Sequence, residues 1–498
     1  MSSIHEQAMS YVYQQVLQRL LGYFKRAERT ALQLLIQRLI VAAGGIERIA
    51  SFRVLVPFSG GKDSAYTVAL LRAAQLSIAG RAPATFNLRI ASMRHPGMTA
   101  PVMDNIQRTY AALFLHDDPR VELLVVDLHA VRLFEPQMML SVADRDQHRS
   151  DMLMNGHVSA GDGRTTFCNS CYLGMADFFT RVAAWGDGVD AVVMGDSRKE
   201  QKQYVTWVMR LLPASGYRLS DWNNQNFNGM LNIINGISQA YHQALYGESD
   251  GTSDVPVMPT GKAVVPAFIS IGDLLPSDAE AHWKLLTEFL DFRFDDLSLG
   301  FSESDCANPL LMAHMRGLMA EWVQGRSYAQ GIGEYLQLAQ SLMRRKKMPK
   351  RLIEQALGAY AGEEGIVLRR ELAGSFAQDA FGVSEAQLIC LLFSPFVNEG
   401  RSLEHFLRQC HPGMLIALPD MHKAMQDLPA PEQVVQWLVD TSGLSLAGLQ
   451  RLYCKTLVDF DDSRSIIARI RAADPDKKRI TVVDPQTGVT TTQVLSGR

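Results

Sequence analysis

The chain has 498 residues, 47% hydrophobic and 20% charged, which excludes a disordered polyelectrolyte and allows two or three domains with buried cores. Its 49 Lys+Arg against 52 Asp+Glu leave a formal charge of −3, so no global field selects a nucleic acid, and RNA and a small metabolite are equally compatible. No stretch approaches about 18 uncharged apolar residues, and His5, Glu6, Gln14, Gln15 and Arg19 interrupt the first apolar positions; neither a membrane span nor a signal-peptide core is expected, and the reading is a cytoplasmic protein.

Apolar side chains at Met9, Val12, Tyr13, Val16, Leu17, Leu20, Leu21 and Phe24, and again from Leu32 to Val41, recur at helical spacing and predict two amphipathic helices. Gly44-Gly45 ends the second. From Arg53 short apolar runs alternate with helical ones: strands are predicted at 54–58, 87–93, 121–127 and 190–194, helices at 64–74, 102–114 and 171–185. Such alternation builds βαβ units and a mainly parallel sheet covered by helices. A further apolar run, 263–271, follows an interval, 205–262, whose Asn, Gly and Ser content reads as an insertion or lid. Beyond it the strand signal fades, and helices are predicted at 279–292, 309–323, 334–345, 350–361, 384–393, 403–410 and 432–439. The last stretch places a Pro-Gln-Thr-Gly turn between β-branched runs and predicts a terminal hairpin. The expected organisation is a helical segment (1–50), an α/β domain (51–275), a mostly α-helical domain (276–475) and a β-hairpin tail (476–498).

Between the predicted strand 54–58 and the helix after it stands Ser59-Gly60-Gly61-Lys62-Asp63-Ser64. The glycines permit a tight turn and let backbone N–H groups approach phosphate oxygens, and the helix N-terminus adds a favourable field. Ser59 and Ser64 offer hydroxyls, Lys62 a point charge for a phosphate, and Asp63 a ligand for the accompanying Mg²⁺. The spacing is not that of a Walker A motif.

This hexapeptide resembles the PP-loop of the ATP pyrophosphatase superfamily, and the order of elements over 50–310 is similar to that superfamily. The resemblance implies a Rossmann-like parallel sheet of the HUP type, with 51–275 as the ATP pyrophosphatase domain. It also implies a reaction in which a substrate oxygen attacks the α-phosphorus of Mg²⁺-bound ATP, pyrophosphate leaves, and a nucleophile displaces AMP. By position in that family, Ala91, Ser92 and Met93 at the end of the second strand lie against adenine, and Gly195 and Asp196 follow the fourth strand beside the nucleotide. In "GDSRKEQ", 195–201, Asp196 is present where relatives carry a longer His- and Asp-containing motif, so a direct role for Glu200 does not follow from the resemblance, and 197–201 read equally as a plain strand-to-helix turn or a substrate contact.

Cys168 and Cys171 stand at CxxC spacing before a predicted helix, whose N-terminus lowers thiol pKa; in a cytosolic chain the pair reads as metal-binding or redox-active. The order CxxC, helix, strand, then Cys306 is similar to the two-thiocytidine tRNA thiolases, and that resemblance implies Cys168, Cys171 and Cys306 as ligands of a [4Fe–4S] iron-sulfur cluster. A Zn²⁺ site completed by His157 or His314, a persulfide-carrying pair, and plain buried cysteines are the alternatives. Cys390, Cys410 and Cys454 fall among apolar residues of predicted helices. In "MRHPGMTAP", 93–101, Arg94 and His95 can reach a nucleotide or substrate, although a solvated loop is the preferred reading. The basic run 343–351 suits a phosphate backbone, with a solvated helix end preferred; His314 and Arg316 are expected to face the crevice if Cys306 does.

The function expected is an ATP-dependent adenylating enzyme, with sulfur as the displacing nucleophile on a nucleobase or tRNA-like substrate and a sulfur-donor protein as partner. One alternative is an amide- or nitrile-forming ligase with structural zinc, supplied with ammonia from outside or from a partner. Another is a non-catalytic ATP-binding sensor.

Overall fold

The computed structural model describes residues 3–196, 198–218, 227–247, 266–274, 282–295, 308–345, 348–473, 477–483 and 488–496. The fold is α/β, built on a six-stranded sheet. β1 (Arg53–Pro57), β2 (Asn87–Arg94), β3 (Val121–Asp127), β5 (Ala191–Met194) and β6 (Ala267–Ser270) run parallel, and the short β4 (Ala130–Leu133) returns antiparallel along β3. The order across the sheet is β4-β3-β2-β1-β5-β6. The chain therefore winds outward from β1 in one direction through β2 and β3, then crosses back to lay β5 and β6 on the other side.

Both faces of the sheet are covered, which is why β1 is apolar at consecutive positions rather than alternate ones. Val54, Val56, Ile90, Val125 and Val193 point to one face, into a core with α1 (Ser3–Tyr23), α2 (Arg26–Ala42), α3 (Lys62–Ala79) and α4 (Ala100–Ala112). Leu55, Ala91, Leu124 and Val192 point to the other. There they meet α5 (Val142–Val158), the short α6 (Gly163–Phe167), α7 (Asn169–Ala184), α8 (Arg198–Leu211) and α9 (Phe227–Tyr246). The helices from Pro309–Leu318 to Ile466–Ala473 continue this second core without a break, so the carboxyl-terminal helices pack on the helical layer of the sheet.

On the first face, Arg72 of α3 and Asp118 are both fully buried and pair at 2.7 Å. Burial opposes the Asp118 charge, but the Arg120 and Arg72 hydrogen bonds outweigh it and hold the carboxyl at about 2. Arg72 also donates to the carbonyls of Leu113 and Phe114, tying α3 to the chain that leaves α4.

Several expectations change. The interval 205–262 is not an open insertion over its described part: it carries the end of α8 and all of α9, whose Leu231, Ile234, Ile237 and Tyr241 are buried in the second core. One of its glycines has a packing reason: a Cβ on Gly236 would stand 2.3 Å from the Ser215 carbonyl oxygen. Within 279–292 the described residues form a π-helical turn, Leu285–Phe289, in place of an α-helix. The hairpin strand β4 and helices α5, Gly362–Phe381, Leu418–Met425, Leu446–Tyr453 and Ile466–Ala473 lay outside the predicted elements. The terminal hairpin forms as β7 (Lys477–Val483) with β8 (Thr490–Ser496). No helix of the described residues is long and apolar enough to cross a membrane.

Burial pushes His157 to about 3 and His314 to about 4, and burial with the nearby His95 brings His148 to about 4. Between pH 6.5 and those values the unfolded chain binds protons that the folded chain refuses, so stability is complete above the unfolded value and falls as pH drops. Tm measured by calorimetry is expected to decline from pH 6.5 to about 4, less steeply in His157→Leu. A flat profile in the wild type would contradict the burial of neutral imidazoles.

Candidate nucleotide site

β2 and β5 flank β1 on opposite sides and their crossovers leave in opposite directions, so a crevice opens beyond the carboxyl end of β1, the position where open α/β sheets take ligands. Ser59 to Ser64 occupy that position. Phe58 N–H still donates to the Ala91 carbonyl at 2.8 Å, and the chain then turns at Gly60, whose φ is +78°. A Cβ on Gly60 would lie 2.7 Å from Val102 Cγ1 and 3.1 Å from the Val102 carbonyl oxygen. Only glycine meets both demands, the left-handed backbone and the close approach to α4.

Gly61 is the N-cap of α3 and brings no side chain to its first turn. The serines brace the turn: Gly61 N–H donates to Ser59 Oγ at 3.3 Å, Ser64 Oγ donates to the Gly61 carbonyl at 2.9 Å, and the two hydroxyl oxygens are 3.0 Å apart. Lys62 is nine-tenths buried, and its Nζ lies 2.5 Å from Asp63 Oδ1, whose side chain is 73% exposed. A cation, two hydroxyls and a helix N-terminus thus converge at one edge of the crevice, with a solvent-facing carboxylate beside them.

Ser92 is buried on the α4 side of β2, whereas Met93 is half-buried on the opposite face, packed against the second core. The solvated loop expected after β2 is corrected: Arg94 and His95 are both buried. Arg94 grips the fully buried Asp127 at the end of β3 through two hydrogen bonds, 2.7 and 2.6 Å, and donates to the carbonyls of Met138 and Met139. The pair locks the ends of β2 and β3 together and holds the segment that leads to α5.

Beyond β5, Gly195 is half-buried and Asp196 exposed. Gln201 donates to the Asp196 carbonyl at 2.9 Å and to Ser270 Oγ at 2.7 Å, clipping this turn to β6. Ser197 and the side chains of 198–200, including Glu200, lie outside the described residues.

Cys168 caps α7 at its N-terminus and is 1% exposed, within the second core. The side chain of Cys171 and all of Cys306 lie outside the described residues; among the described ones, no group of three or more His, Cys, Asp or Glu side chains is arranged to hold a metal ion. His314 and Arg316 are engaged among the carboxyl-terminal elements and not at the crevice. His314 Nδ1 lies 2.8 Å from the Tyr328 hydroxyl, and Arg316 donates to Glu334 and Gln493. Of the basic run, Arg344 and Arg345 are exposed and Lys350 pairs with Glu354 at 3.4 Å, as in a solvated helix end.

Sequence reasoning missed a His-Asp pair: His129, just after β3, places Nδ1 2.9 Å from Asp177 of α7, which Arg181 also contacts. Burial opposes the Asp177 charge, and these two partners outweigh it and lower its pKa. The only signal was a histidine two residues past a strand end. Compared with family models, curated proteins and solved structures, the chain matches none.

Gly60→Ala is expected to cost about 1–3 kcal/mol in denaturant unfolding, from the backbone strain and the Val102 clash. Gly174→Ala, in α7 with open space around it, is the control and is expected to be neutral or slightly stabilising. Asp127→Asn leaves the Arg94 charge buried without its carboxylate and is expected to lose about 3–5 kcal/mol. Equal stabilities across the three variants would contradict the geometry.

Proposed function

We propose that the chain is an ATP-dependent enzyme that adenylates an oxygen of its substrate, releases pyrophosphate, and exchanges AMP for sulfur. The observation that carries this reading is the position of Ser59–Ser64: a glycine turn with a buried lysine, opening a long helix at the crevice of a doubly wound sheet.

In such an arrangement the β- and γ-phosphates lie in the turn and the α-phosphorus projects toward the crevice. As the bond from the α-phosphorus to the bridging oxygen breaks, charge accumulates on the departing pyrophosphate. Lys62 and the N-terminus of α3 would meet that charge, with Ser59 and Ser64 bracing the turn that places them, so their interaction strengthens in the transition state. Asp63, paired with Lys62, has the exposure needed to take Mg²⁺ once a phosphate replaces it at Lys62. Half-buried Met93, near the carboxyl end of β2, would suit the apolar face of adenine.

The sulfur assignment rests on the CxxC spacing and on the family resemblance. α7 leads into β5 and so runs antiparallel to the strands, which carries its cysteine end toward the carboxyl edge of the sheet. Cys168 is a buried thiol at a helix N-terminus, and with Cys171 and Cys306 it would supply thiolates to an iron-sulfur cluster or Zn²⁺. Such a group would supply a site for activating sulfur. A nucleobase, free or within RNA, fits a reaction that begins by activating a carbonyl oxygen.

Radiolabelled ATP incubated with the protein, Mg²⁺, sulfide and separated RNA and small-molecule fractions of a cell extract is expected to give AMP and pyrophosphate with one of the fractions. Lys62→Ala is expected to be at least about a hundred-fold slower with its fold intact. ADP and phosphate as products would contradict the reading. Protein purified without oxygen is expected to carry about four irons with acid-labile sulfide, lost in Cys306→Ala. Zinc alone would shift the displacing nucleophile from sulfur to ammonia.

A further inference from the structure

Behind the phosphate turn lies a buried polar cluster drawn from three distant parts of the chain. Glu28 of α2 is 3% exposed, and both its oxygens are occupied. Oε2 accepts the Lys25 backbone N–H at 2.6 Å; Oε1 accepts the Tyr66 hydroxyl at 3.2 Å and lies 3.2 Å from His282 Nδ1. His282 is 7% exposed, and its ring lies against that of Tyr66, with centroids 3.7 Å apart and planes inclined by 30°. Tyr66 follows Lys62 by four residues and Asp63 by three, so all three share one face of α3 and the imidazole is seated beside the first turn of the helix.

An anchored imidazole here has a chemical consequence. Glu28 accepts the Nδ1 proton, which fixes the neutral tautomer with Nε2 as the unprotonated nitrogen. The charged groups facing the ring are Glu28 from α2 and Lys62 and Asp63 from α3; Arg19 of α1 turns instead over the Phe289 ring. Burial lowers the His282 pKa, Glu28 and Asp63 oppose that, and Lys62 adds to it. The ring is therefore neutral in the free protein near neutral pH. The Mg²⁺ complex of a triphosphate still carries net negative charge, and placed against Lys62 it favours the imidazolium.

We propose that His282 is a phosphate-contacting residue: held by Glu28 through Nδ1, it takes one proton from solvent when the triphosphate enters the turn and donates it as a hydrogen bond from Nε2 to a phosphate oxygen beside Lys62. The inference rests on the reading of Ser59–Ser64 as the triphosphate site and adds a second cation to it, one that exists only while the nucleotide is bound. It also gives the amino-terminal helices a part in the site, because Glu28 reaches it from α2.

The test is calorimetric titration of the full-length protein with the Mg²⁺ complex of α,β-methylene ATP, near neutral pH, in buffers of different ionisation enthalpy. In the wild type, the heat is expected to depend on the buffer with a slope approaching uptake of one proton. His282→Gln, which keeps a donor but cannot be protonated, is expected to bind roughly ten-fold more weakly with a slope near zero. Glu28→Gln is expected to bind with reduced uptake. Buffer-independent heat in the wild type, or undiminished uptake in His282→Gln, overturns the role of His282 while leaving the triphosphate site standing. A wild type that does not bind the analogue overturns the site itself and this inference with it. Buffer-independent heat in the wild type overturns the role even where a variant fails to fold.

Discussion

The left-handed turn at Gly60, pressed against α4, is the constraint from which the crevice takes its shape. With φ at +78° and Val102 within reach of any added Cβ, the backbone there has no room for a side chain. It carries the chain from the buried end of β1 straight into α3, so that Lys62, Asp63 and Ser64 all fall in one helical turn facing the sheet edge. A looser turn would leave the same residue types in place but scatter them, and a lysine buried without a common focus is a cost with no return.

Around that turn the sheet supplies rigidity. β1 is enclosed by helices on both faces, and its neighbours β2 and β5 belong to crossovers that leave in opposite directions. The polar interactions buried beside this apolar frame have separate tasks. Arg72 with Asp118 fastens α3 to the chain beyond α4, and Arg94 with Asp127 fastens the ends of β2 and β3. Buried ion pairs such as these add little to net stability, and their use lies in specifying one geometry where an apolar contact would tolerate several. The cluster of Glu28, Tyr66 and His282 extends the same logic to the start of α3, linking α2 and the chain beyond β6 to Tyr66, one turn into the helix.

How much was legible follows the range of the interaction involved. Local signals carried well: the apolar runs of β1, β2, β3 and β5, the helix after the glycine turn and the terminal hairpin are all set by periodicity within a dozen residues. β4 was invisible because four residues with one buried neighbour leave no pattern. α9 was hidden by asparagines and by Gly236, whose small size is a packing demand from Ser215 and not a break. The turn at 59–64 was legible because its glycines and the helix it opens lie in six consecutive residues. Glu28 and His282 were not, since 254 positions separate them and only the fold brings them together. Arg94 was misread as loop for the same reason: Asp127, which buries it, comes 33 residues later.

The measurement that bears most directly on the central claim is a crystal structure of the protein with Mg²⁺ and α,β-methylene ATP. The account predicts the β- and γ-phosphates within hydrogen-bond distance of Lys62 and of the backbone from Gly60 to Ser64, the α-phosphorus open to the crevice between β1 and β5, and Asp63 turned away from Lys62. Nucleotide bound elsewhere on the molecule, with the Lys62–Asp63 pair intact and the turn empty, would contradict it.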